Sequence, residues 1–482
     1  MRNFLKTICK VVTIVTLFMI LPSLYLPAQD RDQTITIHLR GVAESKISLL
    51  ALSKNGTFNS ITEVKSIRNG ETTMLSVSKE TLPGEFVLRF DYMEKASGDP
   101  YPSEKYLFLN NQHLEFWVNP MYVNHPDSTF FQQGERENAT FARFSKENGR
   151  RKETLAVLQQ FLMNYDDTKT KFYRQGTEEF EHRRQAYNEW LDSCVQSDQD
   201  LFVSSLYRFE FVPEIRWEGT EKERFTRVID HYFDGIDFSD PFITKTSRIT
   251  TWMNSYVNLY GQMATTLALR DSLFPLAGRR AVEHARKGTP IVYGWMVDYF
   301  YRGFESNNIP AGMRVLEPYL NDPGCLTSKR MEIQRRLKGI ETLVPGSMAP
   351  DFELKEADGG QFDFYTYNPS TKYILLVFWS AGCSHCLETV NALFPWWQSN
   401  DVRQQVSVAA IGLDESEADV QLWEQMIPGL EGWKHLHAAE GVRSQVANDY
   451  FILATPVMIL VDAKTKNIIA LPNTLNELMA II

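Results

Sequence analysis

Cys383 and Cys386 are two of only five cysteines in this 482-residue chain, and they stand in the run 378–388, "FWSAGCSHCLE". A Cys-x-x-Cys pair can hold half of a metal site, staple the chain, or open and close as a redox disulfide. The flanking pattern weighs these uses against one another. "YILLVFWS" before the pair is a near-continuous apolar run, as in a strand buried on both faces. "CSHCLETVNALFPWW" after it can be helical. Cys383 is therefore predicted to open a helix directly after a buried strand. The first turn of a helix has unpaired N–H groups and partial positive charge, which stabilise a thiolate and lower its thiol pKa. The three-residue step brings Cys386 one turn along on the same side. That arrangement suits a disulfide that opens and closes.

The alternatives carry less support. A metal needs at least two further ligands. His385 points elsewhere on a helix, and His435 and His437 fall on a separate predicted strand with no second Cys-x-x-Cys, so neither metal nor cofactor is expected. A purely structural disulfide in so tight a loop is strained and reducible. A peroxidatic cysteine would follow a Pro-x-x-x-Thr-x-x-Cys pattern, which is absent before Cys383.

The elements that must position the pair form the last part of a multidomain chain. "LVPGSMAPDF" discourages continuation of the preceding helix and sets a boundary, so residues 343–482 form an α/β unit. Its further elements are a buried strand "VSVAAIGL", helix candidates "ADVQLWEQMI" and "GVRSQVANDYFI", and the hairpin "PVMILVD"–"KNIIAL". A helix over "TLNELMAII" closes the chain, with Thr474 and Glu477 at capping-box spacing. Residues 29–133 carry short alternating strand patterns, with Asn55-Gly56 as a hairpin turn, and read as a β-sandwich-like domain. Phe86, Phe90, Phe108, Phe116 and Trp117 are expected to fill its core. Residues 134–342 show helical spacing without a fixed repeat and read as an irregular α-helical domain rich in Trp and Tyr.

Residues 1–28 have the layout of a secretory signal peptide: Arg2, Lys6 and Lys10, then "VVTIVTLFMIL", then Ala28 as a cleavage residue. An uncleaved membrane anchor is the alternative. The formal net charge is −10, and removing this basic segment makes the chain more acidic still. Such a balance does not advertise nucleic-acid binding. Export makes disulfides permissible, while the sparse cysteines exclude a disulfide-rich scaffold.

Several motifs together carry a family resemblance. "GSMAPDFEL", "YILLVFWS", "CSHC", "VSVAAIGLD", "ATPVMILVD" and the closing helix resemble the thioredoxin superfamily, specifically the TlpA/ResA-like envelope thiol–disulfide oxidoreductases, over residues 344–482. The resemblance implies a cis Thr455-Pro456 peptide facing the disulfide, with Thr455 offering backbone groups to an extended substrate and Pro456 shaping the groove. It also implies that Trp379 packs beside the disulfide. More loosely, "LPGEFVLRF", "YLFLNNQHLEF", "GERENATFARF" and "HYFDGIDFSDP" resemble multidomain envelope proteins that place a β and a helical domain ahead of such a module.

The sequence departs from that pattern at three points. Gly382 stands where Trp often precedes the first cysteine, Val377 where thioredoxin has a buried Asp, and Thr389 where many relatives carry Glu. Glu388, the nearest acid, turns away from Cys386 and reads as solvated. His385, when protonated, is expected to stabilise the thiolate, giving a potential between about −270 mV (thioredoxin) and about −120 mV (DsbA).

These features predict a thiol–disulfide oxidoreductase of the periplasm or cell envelope. Cys383 attacks, Cys386 resolves, and His385, Trp379, Thr455 and Pro456 tune the site. Its expected partners are client proteins with thiols or disulfides and a membrane or envelope redox donor. The alternative is an envelope binding or scaffold protein whose thioredoxin-like module is vestigial or regulatory.

Overall fold

Alternation of apolar and polar residues builds the first unit of the chain. The computed structural model describes residues 33–53, 56–307 and 309–482. The signal-peptide and anchor readings of 1–28 and the turn residue Asn55 lie outside the described residues. Two units separate between Arg143 and Phe144.

In the first unit the strands are β1 (Gln33–Leu39), β2 (Glu44–Leu52), β3 (Phe58–Arg68), β4 (Thr72–Val77), β5 (Gly84–Met93), β6 (Tyr101–Leu109), β7 (Leu114–Val118) and β8 (Phe130–Phe131). They form two four-stranded sheets, β4-β1-β7-β8 and β3-β2-β5-β6. Ile35 and Ile37 of one sheet share a buried cluster with Ile47, Leu49, Phe86 and Phe90 of the other, so the two sheets enclose one core. Phe116 joins that core. Its neighbour Trp117 does not, because successive side chains of a strand point to opposite faces. Trp117 instead stacks on His38 at 4.6 Å and Phe130 at 5.5 Å. Phe108 is likewise buried outside the central cluster, edge-on to Phe141 at 4.7 Å.

The helical region runs through α1 (Glu137–Met163), α2 (Lys171–Ser197), α3 (Ser204–Tyr207), α4 (Glu221–Asp230), α5 (Arg248–Met263), α6 (Leu267–Ala285), α7 (Pro290–Ser306), α8 (Pro310–Leu320) and α9 (Arg330–Thr342). Threonines start several of these helices. The hydroxyls of Thr170, Thr220, Thr266 and Thr289 each accept a first-turn N–H, satisfying donors that the helix itself leaves open. Aromatic packing fills the interior: Phe144 stacks on Tyr207 at 3.7 Å, and the buried Tyr256 donates to the Ala277 carbonyl at 3.3 Å. Cys194 on α2 and Cys325 before α9 are both free thiols, and burial pushes both upward in pKa. None of the helices among the described residues is long and apolar enough to cross a membrane.

The C-terminal module of the second unit adds β9 (Glu353–Glu356), β10 (Gln361–Asp363), β11 (Tyr373–Trp379), β12 (Val406–Gly412), β13 (Lys434–His437), β14 (Val457–Asp462) and β15 (Ile468–Ala470). Its helices are α10 (Ser384–Trp397), α11 (Asn400–Arg403), α12 (Glu417–Met426), α13 (Gln445–Asp449) and α14 (Leu475–Met479). The sheet order is β10-β9-β13-β12-β11-β14-β15. β11 lies inside it, parallel to β12 and antiparallel to β14, and every one of its residues is buried. Its period of two divides the apolar run between two cores. Ile374, Leu376 and Phe378 enter one, while Leu375, Val377 and Trp379 enter the other with α10. The boundary segment is sewn to the sheet edge: Gly346 N–H donates to Ile468 O at 2.7 Å, Ile468 N–H to Ser347 O at 2.8 Å, and Met348 bridges Asn467.

Candidate functional site

β11 ends at Trp379, and Cys383 is the N-cap of α10, with extended backbone angles (φ −103°, ψ 113°). Its sulfur accepts the Cys386 N–H at 3.3 Å, filling one of the donor positions that a helix start leaves open. The Cys383 Sγ also lies 3.8 Å from the Thr455 carbonyl, and the Thr455–Pro456 peptide is cis. Thus Cys383, Cys386 and Thr455 converge, although 72 residues separate Cys383 from Thr455. Both cysteines are free thiols.

The two sulfurs occupy different surroundings. Cys383 is half-buried, whereas Cys386 is fully buried in the cluster that holds Trp379, Val390 and Met458. Burial alone would raise the Cys383 thiol pKa. Hydrogen bonds from the Cys386 thiol and N–H, from the Thr455 side chain and from the His385 N–H outweigh it and hold the thiol below its ordinary value. For Cys386 burial dominates, and its bond with Cys383 adds to the rise, against smaller opposing bonds from Thr455 and Ser380. The pair is thus one acidic, reachable thiol backed by one that keeps its proton at neutral pH.

Trp379 is completely buried and packs in the same cluster as Cys386, with its Nε1 unpartnered among the described residues. The His385 side chain projects into solvent, its Nδ1 3.5 Å from the Glu388 carboxylate. The backbone of His385 therefore serves the sulfur while its imidazole faces Glu388. Val377 contributes only apolar packing, and the Thr389 hydroxyl bonds the His385 carbonyl of its own helix at 3.0 Å. Gly382 has a structural reason of its own. A β-carbon there would meet Asp419 Oδ1 at 2.4 Å, so the bare backbone before Cys383 admits the α12 carboxylate.

One residue of the site escaped the sequence reading. Asp414, just past β12, is buried at 1% exposure. Its Oδ1 accepts the Ser380 hydroxyl at 2.6 Å and the Ala381 N–H at 2.8 Å, strapping the turn that delivers Cys383. Its Oδ2 has no partner among the described residues. An acid directly after a buried strand run, in "VSVAAIGLD", was the available signal. His435 and His437 bond the backbone carbonyls of Leu430 and Asp414, each at 3.0 Å. Among the described residues no group of three or more His, Cys, Asp or Glu gathers in a way that could hold a metal ion.

Comparison with known proteins bears on the same stretch. Residues 345–469 match the AhpC/TSA family model. No curated protein matches the chain. Among solved structures, the chain is similar to a thioredoxin-like protein from Bacteroides caccae, at 19% identity over 56% of this chain and 96% of that one, with a TM-score of 0.39. It is also similar to the thioredoxin domain of a thiol-disulfide oxidoreductase from Bacteroides vulgatus, at 24% identity over 29% and 94%, with a TM-score of 0.25. A thiol-disulfide oxidoreductase from Bacteroides fragilis gives 24% identity over 28% and 96%, with a TM-score of 0.24. With the family match lying on the strand, turn and helix that carry Cys383 and Cys386, the C-terminal module of this multidomain chain is a thioredoxin-like domain of the AhpC/TSA family.

Proposed function

We propose that the protein is an exported thiol–disulfide oxidoreductase that exchanges disulfides with client proteins of the cell envelope. The observation that carries this reading is the asymmetry of the pair: a half-buried, acidified Cys383 thiol at a helix start, backed by a buried Cys386 thiol of raised pKa. The Cys383 thiolate attacks one sulfur of a client disulfide. A mixed disulfide forms, and the other client sulfur leaves as a thiolate and takes a proton. Cys386 then loses its proton and attacks Cys383 Sγ. The client leaves with both thiols reduced, and the module holds a Cys383–Cys386 disulfide. A membrane or envelope donor returns two electrons and two protons to that disulfide. Thr455 supports this reading by presenting its carbonyl beside the attacking sulfur. The signal-peptide pattern of residues 1–28 supports export to the periplasm or envelope, with retention at the membrane if the segment stays uncleaved.

The test is reduction of insulin by dithiothreitol with the purified protein as catalyst. The wild type should accelerate precipitation, and Cys383→Ala should fall to the uncatalysed rate. Cys386→Ala should instead accumulate mixed disulfides with clients. Equal rates for wild type and Cys383→Ala would favour a binding or scaffold role with a vestigial module.

A further inference from the structure

Helix α9 belongs to the helical region, yet it also makes polar contacts with the thioredoxin-like module. The Arg335 guanidinium reaches across and donates through Nη2 to two backbone carbonyls, Ala447 at 3.0 Å and Ile452 at 3.2 Å. One turn along, Gly339 is buried against Phe451. A β-carbon at 339 would sit 2.8 Å from Phe451 Cβ, closer than real β-carbons approach. Lys338 adds its ammonium 5.9 Å from the centre of the Phe451 ring. Successive contacts along α9 therefore grip residues 447–452.

That grip falls on an unusual piece of backbone. Phe451 has φ 51°, the left-handed region that non-glycine residues rarely adopt and that surrounding contacts must hold in place. Within the module, Ile452 N–H closes the turn onto Ala447 O at 2.8 Å, and the Tyr450 hydroxyl bonds Pro350 O at 2.6 Å. Three residues beyond Ile452 comes Thr455, whose carbonyl lies 3.8 Å from Cys383 Sγ. The chain of contacts thus runs from α9 to the 447–452 turn, along a short tether, to the group facing the attacking sulfur.

We infer that α9 sets the placement of Thr455 and through it the reactivity of the Cys383 thiol, with Arg335 and Gly339 as positioning residues that never touch the reacting atoms. The helical region is on this account part of the redox site's support. The inference rests on the oxidoreductase reading for its meaning, but its measurement does not. A small or β-bearing residue in the wrong place is enough to release the grip. Loss of Arg335 leaves two carbonyls of the turn without their shared donor, and a methyl at 339 pushes Phe451 out of its conformation. In either case Thr455 drifts, and the bond from its side chain to the Cys383 sulfur, one of those that hold the thiol pKa down, weakens.

The test is the pH dependence of iodoacetamide reaction at Cys383 in the reduced full-length protein, with folding followed by melting temperature. Arg335→Ala and Gly339→Ala should each move the midpoint upward by about half a pH unit, roughly a threefold loss of thiolate at fixed acidic pH. Arg335→Lys, which keeps a donor without the planar fork, should fall between. Arg336→Ala lies on the same helix but bonds Glu305, at 3.1 Å, and should overlay the wild type. Hydrogen exchange over residues 447–456 should rise in the first two variants only. Folded Arg335→Ala and Gly339→Ala with wild-type midpoints would overturn the inference, as would an equal shift in Arg336→Ala. If Arg335→Ala does not fold, Arg335→Lys and Gly339→Ala decide by the same criterion. Because the probe reads the thiol itself, a failed insulin assay would count against the oxidoreductase reading and leave this test intact.

Discussion

Cys383 is pulled two ways: burial favours its neutral thiol, while the donors around the helix start favour the thiolate and prevail. Cys386, three residues on, is tipped the other way by deeper burial. Alkylation of the reduced protein should therefore label Cys383 first. Its rate should climb as pH rises through a midpoint below the ordinary thiol value of about 8.5, because only the thiolate reacts. Cys386 should stay unlabelled well above that pH, and mass spectrometry showing it modified first would reverse the order of attack. His385 gives a second residue-level expectation. Its charge could help the thiolate, but Glu388 stands 3.5 Å from its ring and both side chains are largely exposed. Exposed charges of opposite sign nearly cancel in water. His385→Ala should accordingly move the reduction potential by no more than about 10 mV, measured against glutathione buffers. Glu388→Gln, which removes the carboxylate facing the imidazole, should raise it by a similarly small amount.

At the scale of elements, β11 and α10 were readable because each announces itself. A seven-residue strand buried on both faces leaves an unbroken apolar run, and a cysteine pair directly after it marks the helix start. Thr474 was also readable as a cap. Its hydroxyl accepts the Glu477 N–H at 3.2 Å, although the Glu477 carboxylate reaches back to the Asn473 N–H, at 2.8 Å, rather than closing on the cap itself. What stayed hidden depends on contacts between distant elements. Trp117 looked like core because its strand is aromatic, and only the pairing register assigns its face. Asp414 drew no reading of its own, and its meaning came only with the Ser380–Ala381 turn folded over it. Arg335 carried no signal at all. The strap at Asp414 is testable. Asp414→Ala leaves the buried Ala381 N–H without its acceptor and should cost about 2 kcal/mol in urea denaturation. Asp414→Asn, which can still accept both bonds, should cost less. Equal losses would mean that the carboxylate's charge, not its bonds, holds the turn.

For the whole molecule, the sequence separates three compositional regions, while the structure divides the described chain into two units, the helical region and the module sharing the second. The segment at 344–350 illustrates the difference. Two prolines and a glycine make "LVPGSMAP" look like the loose string between two beads. In the structure Gly346, Ser347 and Ala349 are hydrogen-bonded to Ile468 and Lys466 at the edge of the sheet. A protease must draw several residues of extended chain into its cleft, and backbone already committed to a sheet edge cannot supply them. Brief proteinase K treatment of the native protein should therefore spare residues 346–350, and a cut there before exposed loops would contradict the pairing. A seam of that kind makes residues 346–349 a selvage of the module's own sheet, so that the fabric of the module begins at Gly346 and any pivot has to lie before it.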